Sequence, residues 1–245
     1  MKPILQTHSL TKVFRGVSAV DDLAFSLEKA SITALLGGNG AGKTTTLSML
    51  LGLLRPTSGS IYLFGQDFIK NRFSVLNRMN FSSPYVDLPQ RLTVWENLLV
   101  YAKLYGVVNP KKRVEEVAES FRIENLLNQR LRRLSSGQKT RVSLAKSFIN
   151  KPEFLLLDEP TASLDPDTTS WIRELLRQYR DEQGATILFA SHDMREVELL
   201  CDKALLMKEG RLVEEGTPKE LLEKYNRDNL EDVFLQVNRK KKKDD

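Results

Sequence analysis

The chain has 245 residues, 41% of them hydrophobic and 28% charged, with a formal net charge of +5. That is enough apolar material for one sizeable core, and no run approaches the roughly 18 consecutive apolar residues that cross a membrane as a helix. The single cysteine, Cys201, excludes an internal disulfide, and with only two histidines the chain lacks the ligands of an ordinary structural zinc site.

The N-terminus, MKPILQTHSLTKVF, has no long apolar stretch of the signal-peptide kind, and a reducing compartment is the expectation. Strands are predicted at Ile4–Leu10, Leu23–Leu27, Ile32–Leu36 and Ser60–Phe64, where β-branched and aromatic residues alternate with polar ones and Gly59 and Gly65 bracket the last. A helix follows, with Leu92, Trp95, Leu99 and Ala102 at helical spacing and Thr93 with Glu96 fitting a capping box. Further helices are predicted at Lys111–Phe121 and Gly137–Ile149. The fully apolar run Phe154–Leu157 predicts a strand buried on both faces, and Ile187–Ala190 another. Thr168–Asp181 reads as the helix between them, and a further helix starts near Asp193. The strand–helix alternation predicts an α/β fold whose parallel core sheet carries its chemistry at the strands' carboxyl ends. A mostly helical block, about 85–150, interrupts it. One domain is expected over 1–235, with a basic, disordered tail at 236–245.

Residues 37–44 read GGNGAGKT, between the strand Ile32–Leu36 and the helical stretch Thr45–Leu51. This is the phosphate loop of a P-loop NTPase in its strand–loop–helix setting. Gly37, Gly38, Asn39, Gly40, Ala41 and Gly42 let backbone N–H groups converge on phosphate oxygens, and the helix start adds partial positive charge. Lys43 is expected to reach the outer phosphates and Thr44 to offer its hydroxyl to magnesium, with Thr45 next in line. A metal-holding acid is then needed nearby, and FLLLDEP at 154–160 supplies it. Asp158 ends the strand and is assigned to magnesium, while Glu159 is assigned to the attacking water as general base. The segment ASHD at 190–193 ends the next strand, which brings Ser191 and His192 to the same sheet edge, with His192 near the γ-phosphate.

With GGNGAGKTT, LSSGQ at 134–138, FLLLDEP, ASLD at 162–165 and SHD at 191–193, the chain resembles the ATP-binding-cassette (ABC) ATPases over nearly its whole length. The resemblance implies a P-loop core with an N-terminal antiparallel β part and an inserted helical subdomain, with ATP and Mg2+ as cofactors. It implies that Ser135, Ser136, Gly137 and Gln138 are the signature motif, which binds the γ-phosphate of ATP held by a partner chain. A second copy or a paralogue, arranged head to tail, then completes each site. It further implies that Phe14 stacks on adenine, against the competing reading of a core phenylalanine, and that the loop from Ser163 to Asp165 couples the two sites.

Two positions depart from the family pattern. Ser136 stands where the family usually has the first of two glycines, which leaves the backbone amide intact. Counting back from Leu92–Val94, Pro84 stands where the family usually has a glutamine that touches magnesium and water. Proline has no side-chain donor and no amide hydrogen, so neighbouring Ser83 or a water is the candidate substitute. The ending RLVEEGTPKELLEKY followed by NLEDVFLQV is similar to that of cassettes paired with ABC-2-type exporter subunits. The resemblance thus implies an ATPase at the cytoplasmic face of a membrane, driving export through a separate integral permease. The Pro84 region and the helical block, including Tyr85–Asp87 and Trp95, form the expected contact surface, and no nucleic-acid partner is expected. The alternative is a soluble ABC ATPase acting on ribosomes or DNA. It is disfavoured by a single cassette without a heptad arm or zinc ligands, and favoured only by the lysine-rich tail. An ATP sensor without turnover is disfavoured by the complete set Lys43, Asp158, Glu159 and His192.

Overall fold

The computed structural model describes residues 3–84 and 87–239. The chain opens with β1 (Leu5–Phe14) and β2 (Val17–Leu27), an antiparallel hairpin turning at Arg15 and Gly16. β3 (Ile32–Gly37) is buried along its entire length and leads through 38–42 into α1 (Lys43–Leu50). β4 (Ser58–Leu63) returns to pair with β1, and β5 (Gln66–Asp67) pairs with β4. The resulting antiparallel sheet has the order β2-β1-β4-β5. Three expectations shift here. The first two strands are longer than their alternation suggested, and Gly59 lies inside β4 rather than ahead of it. Hairpin pairing from Val13↔Ser18 to Phe14↔Val17 supplies the extra length, a tertiary gain that local pattern does not register.

A short α2 (Arg72–Leu76) precedes β6 (Met79–Ser82). Between β6 and the next strand lie α3 (Val94–Leu104), α4 (Pro110–Ser120), two single 3-10 turns and α5 (Ser136–Ser147). The Thr93–Glu96 capping box forms as expected, the Glu96 amide donating to Thr93 Oγ1 at 3.1 Å and the Thr93 amide to Glu96 Oε2 at 2.8 Å. The buried stripe of α3 shares Ala102 with the expected residues and otherwise lies one position to the side. Val94, Leu98 and Ala102 are fully buried, while Trp95 and Leu99 pack half-exposed against them. Both stripes have helical spacing, so the sequence alone did not choose between them; packing against α4 and α5 did.

The chain then runs through β7 (Phe154–Asp158), α6 (Pro166–Gln183), β8 (Thr186–Ala190), α7 (Met194–Leu200), β9 (Lys203–Lys208), β10 (Arg211–Gly216), α8 (Pro218–Tyr225) and α9 (Leu230–Arg239). The second sheet has the order β10-β9-β3-β8-β7-β6, parallel throughout except for the β9–β10 edge. The expected disordered tail is corrected in part: residues 236–239 belong to α9, and Val237 packs against the core. Residues 240–245 lie outside the described residues.

Each strand of the parallel sheet serves two cores by period-2 alternation. Ile32, Ala34, Leu36, Leu155 and Leu157 face the helices, while Leu35, Phe154 and Leu156 face the antiparallel sheet. α1 packs on that second side through Leu47, Met49 and Leu50. The sheet is therefore covered on both faces, and its central strands β3, β8 and β7 carry no charged side chain short of their ends.

Leu98, fully buried within the helical layer, is expected to lower stability by about 2–5 kcal/mol on replacement by alanine. Val100, on the exposed face of α3, is expected to change it by under about 0.5 kcal/mol on the same replacement. Urea unfolding of the two variants checks the assignment of faces; equal losses would contradict it.

Candidate active site

The carboxyl ends of β3, β8 and β7 lie side by side, and each carries polar residues at its tip. β3 delivers the loop 37–44. Gly42 caps α1 with φ of 99°, and a Cβ there would meet the Ala19 carbonyl oxygen at 2.6 Å. A side chain at Gly37 would strike the Met207 carbonyl oxygen at 2.7 Å. The glycines thus answer both to backbone curvature and to the strands pressed against the loop. Sequence reading missed this bracing. The Gly210 amide donates to Ala41 O at 3.1 Å and the Asp21 amide to Gly210 O at 2.9 Å, while Arg211 pairs with Asp21 at 2.6 Å. The only local sign was the Glu209–Gly210 turn.

Lys43 is half-buried, and its ammonium donates to Gly37 O at 2.6 Å and to Gly38 O at 3.3 Å. Burial lowers its pKa, and the charges of Glu159 and Asp158 oppose that. Thr44 is exposed on the first turn of α1, and Thr45 is half-buried beside it. Asn39 and Gly40 are exposed in the loop, and Ala41 is buried.

β7 delivers Asp158 and Glu159. Burial raises the Asp158 pKa; a hydrogen bond from Ser83 lowers it, adjacent Glu159 raises it further and Lys43 lowers it. Ser83 Oγ donates to Asp158 Oδ2 at 3.2 Å. Pro84 beside it is exposed, as is Asp87, whereas Tyr85 and Val86 lie outside the described residues. Thr44 and Asp158 offer one hydroxyl and one carboxylate, hard oxygen donors flanking β8, and no cluster of three or more His, Cys, Asp or Glu able to hold a metal occurs among the described residues. That donor set suits magnesium, which typically takes one or two protein oxygens and completes its shell from phosphate and water.

Glu159 is a non-glycine residue in the left-handed region, φ 47°, with its amide donating to Ala190 O at 2.9 Å. Its carboxylate meets the ring of His192 at the end of β8, where Nδ1 lies 2.7 Å from Oε1. The carboxylate can only accept, so Nδ1 carries the proton and Nε2 is left for another partner. The hydrogen bond with Glu159 and the carboxylate's charge raise the His192 pKa against partial burial; Asp193 adds to the rise and Lys43 opposes it.

The remaining predicted residues fall elsewhere. Ser135 caps α5: the Gln138 amide donates to Ser135 Oγ at 3.3 Å, and the Ser135 amide donates to Gln138 Oε1 at 2.9 Å. Ser135 and Ser136 are exposed, and a Cβ at Gly137 would meet Ser163 O at 3.1 Å. Thus 163–165 packs on the start of α5 within one chain. Asp165 caps α6, accepting from the Thr168 amide at 2.9 Å. The hydrogen bonds of Ser135, Ser136 and Gln138 stay within the start of α5. Phe14 ends β1 with 45% of its surface exposed and the Lys12 ammonium 5.1 Å from its ring centre, so it is not a core residue. Trp95 is half-buried against the helical core.

A covered parallel sheet, a glycine-rich phosphate loop and two acids at the neighbouring strand end define a P-loop nucleotide hydrolase. The ABC transporter family model matches residues 20–162. The chain is 38% identical over 231 residues to the bacitracin transport ATP-binding protein BcrA of Bacillus licheniformis, covering 94% of this chain and 75% of that protein. It is 35% identical over 222 residues to the ABC transporter ATP-binding protein NatA of Bacillus subtilis, covering 89% and 90%. Among solved structures it resembles an ATP-binding subunit of an ABC transporter, with TM-score 0.89, 25% identity, and 96% and 100% of the two chains covered. It also resembles cbiO1 of Clostridium perfringens, described as part of the cbiONQ transporter complex, with TM-score 0.81, 32% identity, and 99% and 97% covered. The chain belongs to the ATP-binding subunits of ABC transporters, and it is an ATPase.

Removing the anionic partner with Glu159→Gln is expected to bring the His192 pKa down towards the ordinary value of about 6.5. Because the folded-state value is raised, the stabilisation from this pair is full below the unfolded value and fades as pH rises through the folded one. NMR titration of His192 in both proteins checks this; identical titrations would show that the pair does not form.

Proposed function

We propose that this chain is the ATP-hydrolysing half of an exporter, closing head to tail on a second copy or a paralogue around ATP. The observation that carries the reading is the Glu159–His192 pair, held at 2.7 Å on adjacent strand ends in the same edge as the loop of Lys43. In this reading the amides of 38–44 cradle the phosphates, and Lys43 moves from its loop carbonyls to the outer phosphates. Thr44 and Asp158 hold magnesium, with Ser83 steadying the carboxylate. Bound magnesium supplies positive charge against the phosphate oxygens. Glu159 takes the proton of the attacking water, and His192, its Nδ1 committed to Glu159, turns Nε2 towards the γ-phosphate. Phe14, exposed and at the edge of the sheet that braces the loop, stacks on the base.

The signature residues act in the other subunit. The amides of Ser135 and Gln138 are taken up by the capping box, so the exposed start of α5 offers the N–H groups of Ser136 and Gly137 and the helix's partial positive charge to a phosphate from outside. Ser163, packed against that helix start, and Asp165, capping α6, relay between the two sites. Relatives named for bacitracin transport and for Nod factor export support an exporter role.

The permease supplies the membrane passage, and the chain sits at the cytoplasmic face. No helix among the described residues is long and apolar enough to cross a membrane. A groove lined by Leu51, Leu53, Leu76, Phe81, Tyr101 and Leu104 supports docking on a separate membrane protein. Leu53 and Leu104 are 66% and 73% exposed there, and Phe73 on neighbouring α2 is 87% exposed. Apolar surface of this kind marks an interaction site. Tyr101 and Leu104 belong to the helical block expected at this surface.

Glu159→Gln is expected to retain ATP binding, to slow hydrolysis by about 100-fold or more, and to accumulate an ATP-bound dimer in size-exclusion chromatography with light scattering. Normal turnover by this variant would remove Glu159 from its role. Leu104→Glu is expected to keep the fold and to weaken recovery with the membrane subunit from solubilised membranes by about tenfold. Unchanged recovery would place the docking site elsewhere.

A further inference from the structure

Glu196 lies on α7, outside every motif that carried the functional reading, yet it is almost completely buried at 2% exposure. A carboxylate in such a place is unfavourable unless its oxygens receive hydrogen bonds. Here they receive two, from different loops. Thr161 Oγ1 donates to Oε1 at 2.7 Å, and Ser191 Oγ donates to Oε2 at 3.2 Å. Thr161 stands two residues after Glu159, and Ser191 one residue before His192. Each hydroxyl therefore belongs to one of the two loops whose tips form the Glu159–His192 pair.

The rest of the bonding around Glu196 makes the bridge stiff. Ser191 Oγ also accepts from the Asp193 amide at 3.1 Å, and the Glu196 amide donates to Asp193 Oδ1 at 3.1 Å. The two loops meet once more through the Glu159 amide and Ala190 O at 2.9 Å. Glu159 itself is held in the left-handed region, a conformation that persists only where the surroundings over-determine it. A residue needed only to fill this space would be apolar. A residue needed to hold two hydroxyls at a set separation is a carboxylate, which accepts from both sides.

We propose that Glu196 is a positioning residue for ATP hydrolysis, a buried strut that ties the loop after β7 to the loop after β8 and so sets the distance between Glu159 and His192. Burial raises the Glu196 pKa, while the hydroxyls of Thr161 and Ser191 hold it down. The strut touches neither the phosphate loop nor the magnesium donors, so its loss acts on the pair and not on nucleotide affinity. The proposal rests on the assignment of Glu159 and His192 to hydrolysis.

The test uses the full chain with Glu196→Gln, Thr161→Val and the two combined. Thr161→Val keeps the side-chain shape and removes a single strut bond, so it remains informative where Glu196→Gln fails to fold. Two readouts are taken: the 15N NMR signal of His192 Nδ1, which reports its hydrogen bond to Glu159, and the steady-state ATPase constants. We expect the His192 signal to move towards that of an unpaired imidazole in each variant. We expect kcat to fall by about tenfold with KM for ATP changed by less than about twofold, and the combined variant to lose less than the product of the two. Thr161→Ser, which restores the hydroxyl, is expected to return both readouts towards wild type. Folded variants with an unmoved His192 signal would overturn the strut. A moved signal with unchanged kcat would support the strut and overturn instead the hydrolytic assignment of Glu159 and His192.

Discussion

β3, β8 and β7 are apolar along their lengths and covered on both faces, so charge can leave the sheet only where the strands stop. That constraint places everything else. Asp158 and Glu159 follow four apolar residues of β7, His192 comes two after the last residue of β8, and Lys43 opens the helix after β3. The register Leu157↔Phe189 and Asp158↔Ala190 keeps β7 and β8 level at this end, which is why Glu159 and His192 can share a 2.7 Å hydrogen bond. A shift of one residue would turn the apolar faces of one strand outward, so the same burial that stabilises the sheet also aligns the site.

Electrostatics at the edge follow from this crowding. Two adjacent carboxylates repel, and the structure relieves each differently. Asp158 takes a hydroxyl from Ser83 and faces Lys43; Glu159 turns back through a left-handed residue to reach His192. The two acids are thereby divided between distinct tasks in the proposed mechanism, one beside the phosphates and one beside the water. Lys43, drawn down by burial and up by both acids, is the cation that balances them.

The antiparallel sheet and the helical layer serve opposite ends of that arrangement. The sheet braces the phosphate loop from behind, through Ala19 against Gly42 and Asp21 against Gly210. The helical layer ends in a capped helix start at Ser135, whose side chain and that of Gln138 satisfy each other and leave an exposed polar surface. An exposed, capped helix start is in keeping with the proposed head-to-tail pair. Glu196 adds a third element, bracing the hydrolytic pair from beneath.

Much of this was legible in the residues. GGNGAGKT, FLLLDEP and ASHD each sit where an apolar run ends, and a continuous apolar run with a turn after it is a local signal. So were the caps at Thr93 and Asp193, since a side chain bonding three residues along needs no distant partner. The α3 stripe was read only in part, because Leu92–Trp95–Leu99–Ala102 and Val94–Leu98–Ala102 both have helical spacing, and only the surfaces of α4 and α5 distinguish them. The bracing of Gly42, the Ser83–Asp158 contact and the Glu196 strut were not legible at all, because their partners are separated in sequence and no spacing rule links them. Sequence by itself determined which atoms arrive at the sheet edge, since strand length and hydropathy are properties of contiguous residues. Tertiary structure alone decided which of those atoms touch, because hydrogen bonds between loops depend on register and packing that no single segment contains.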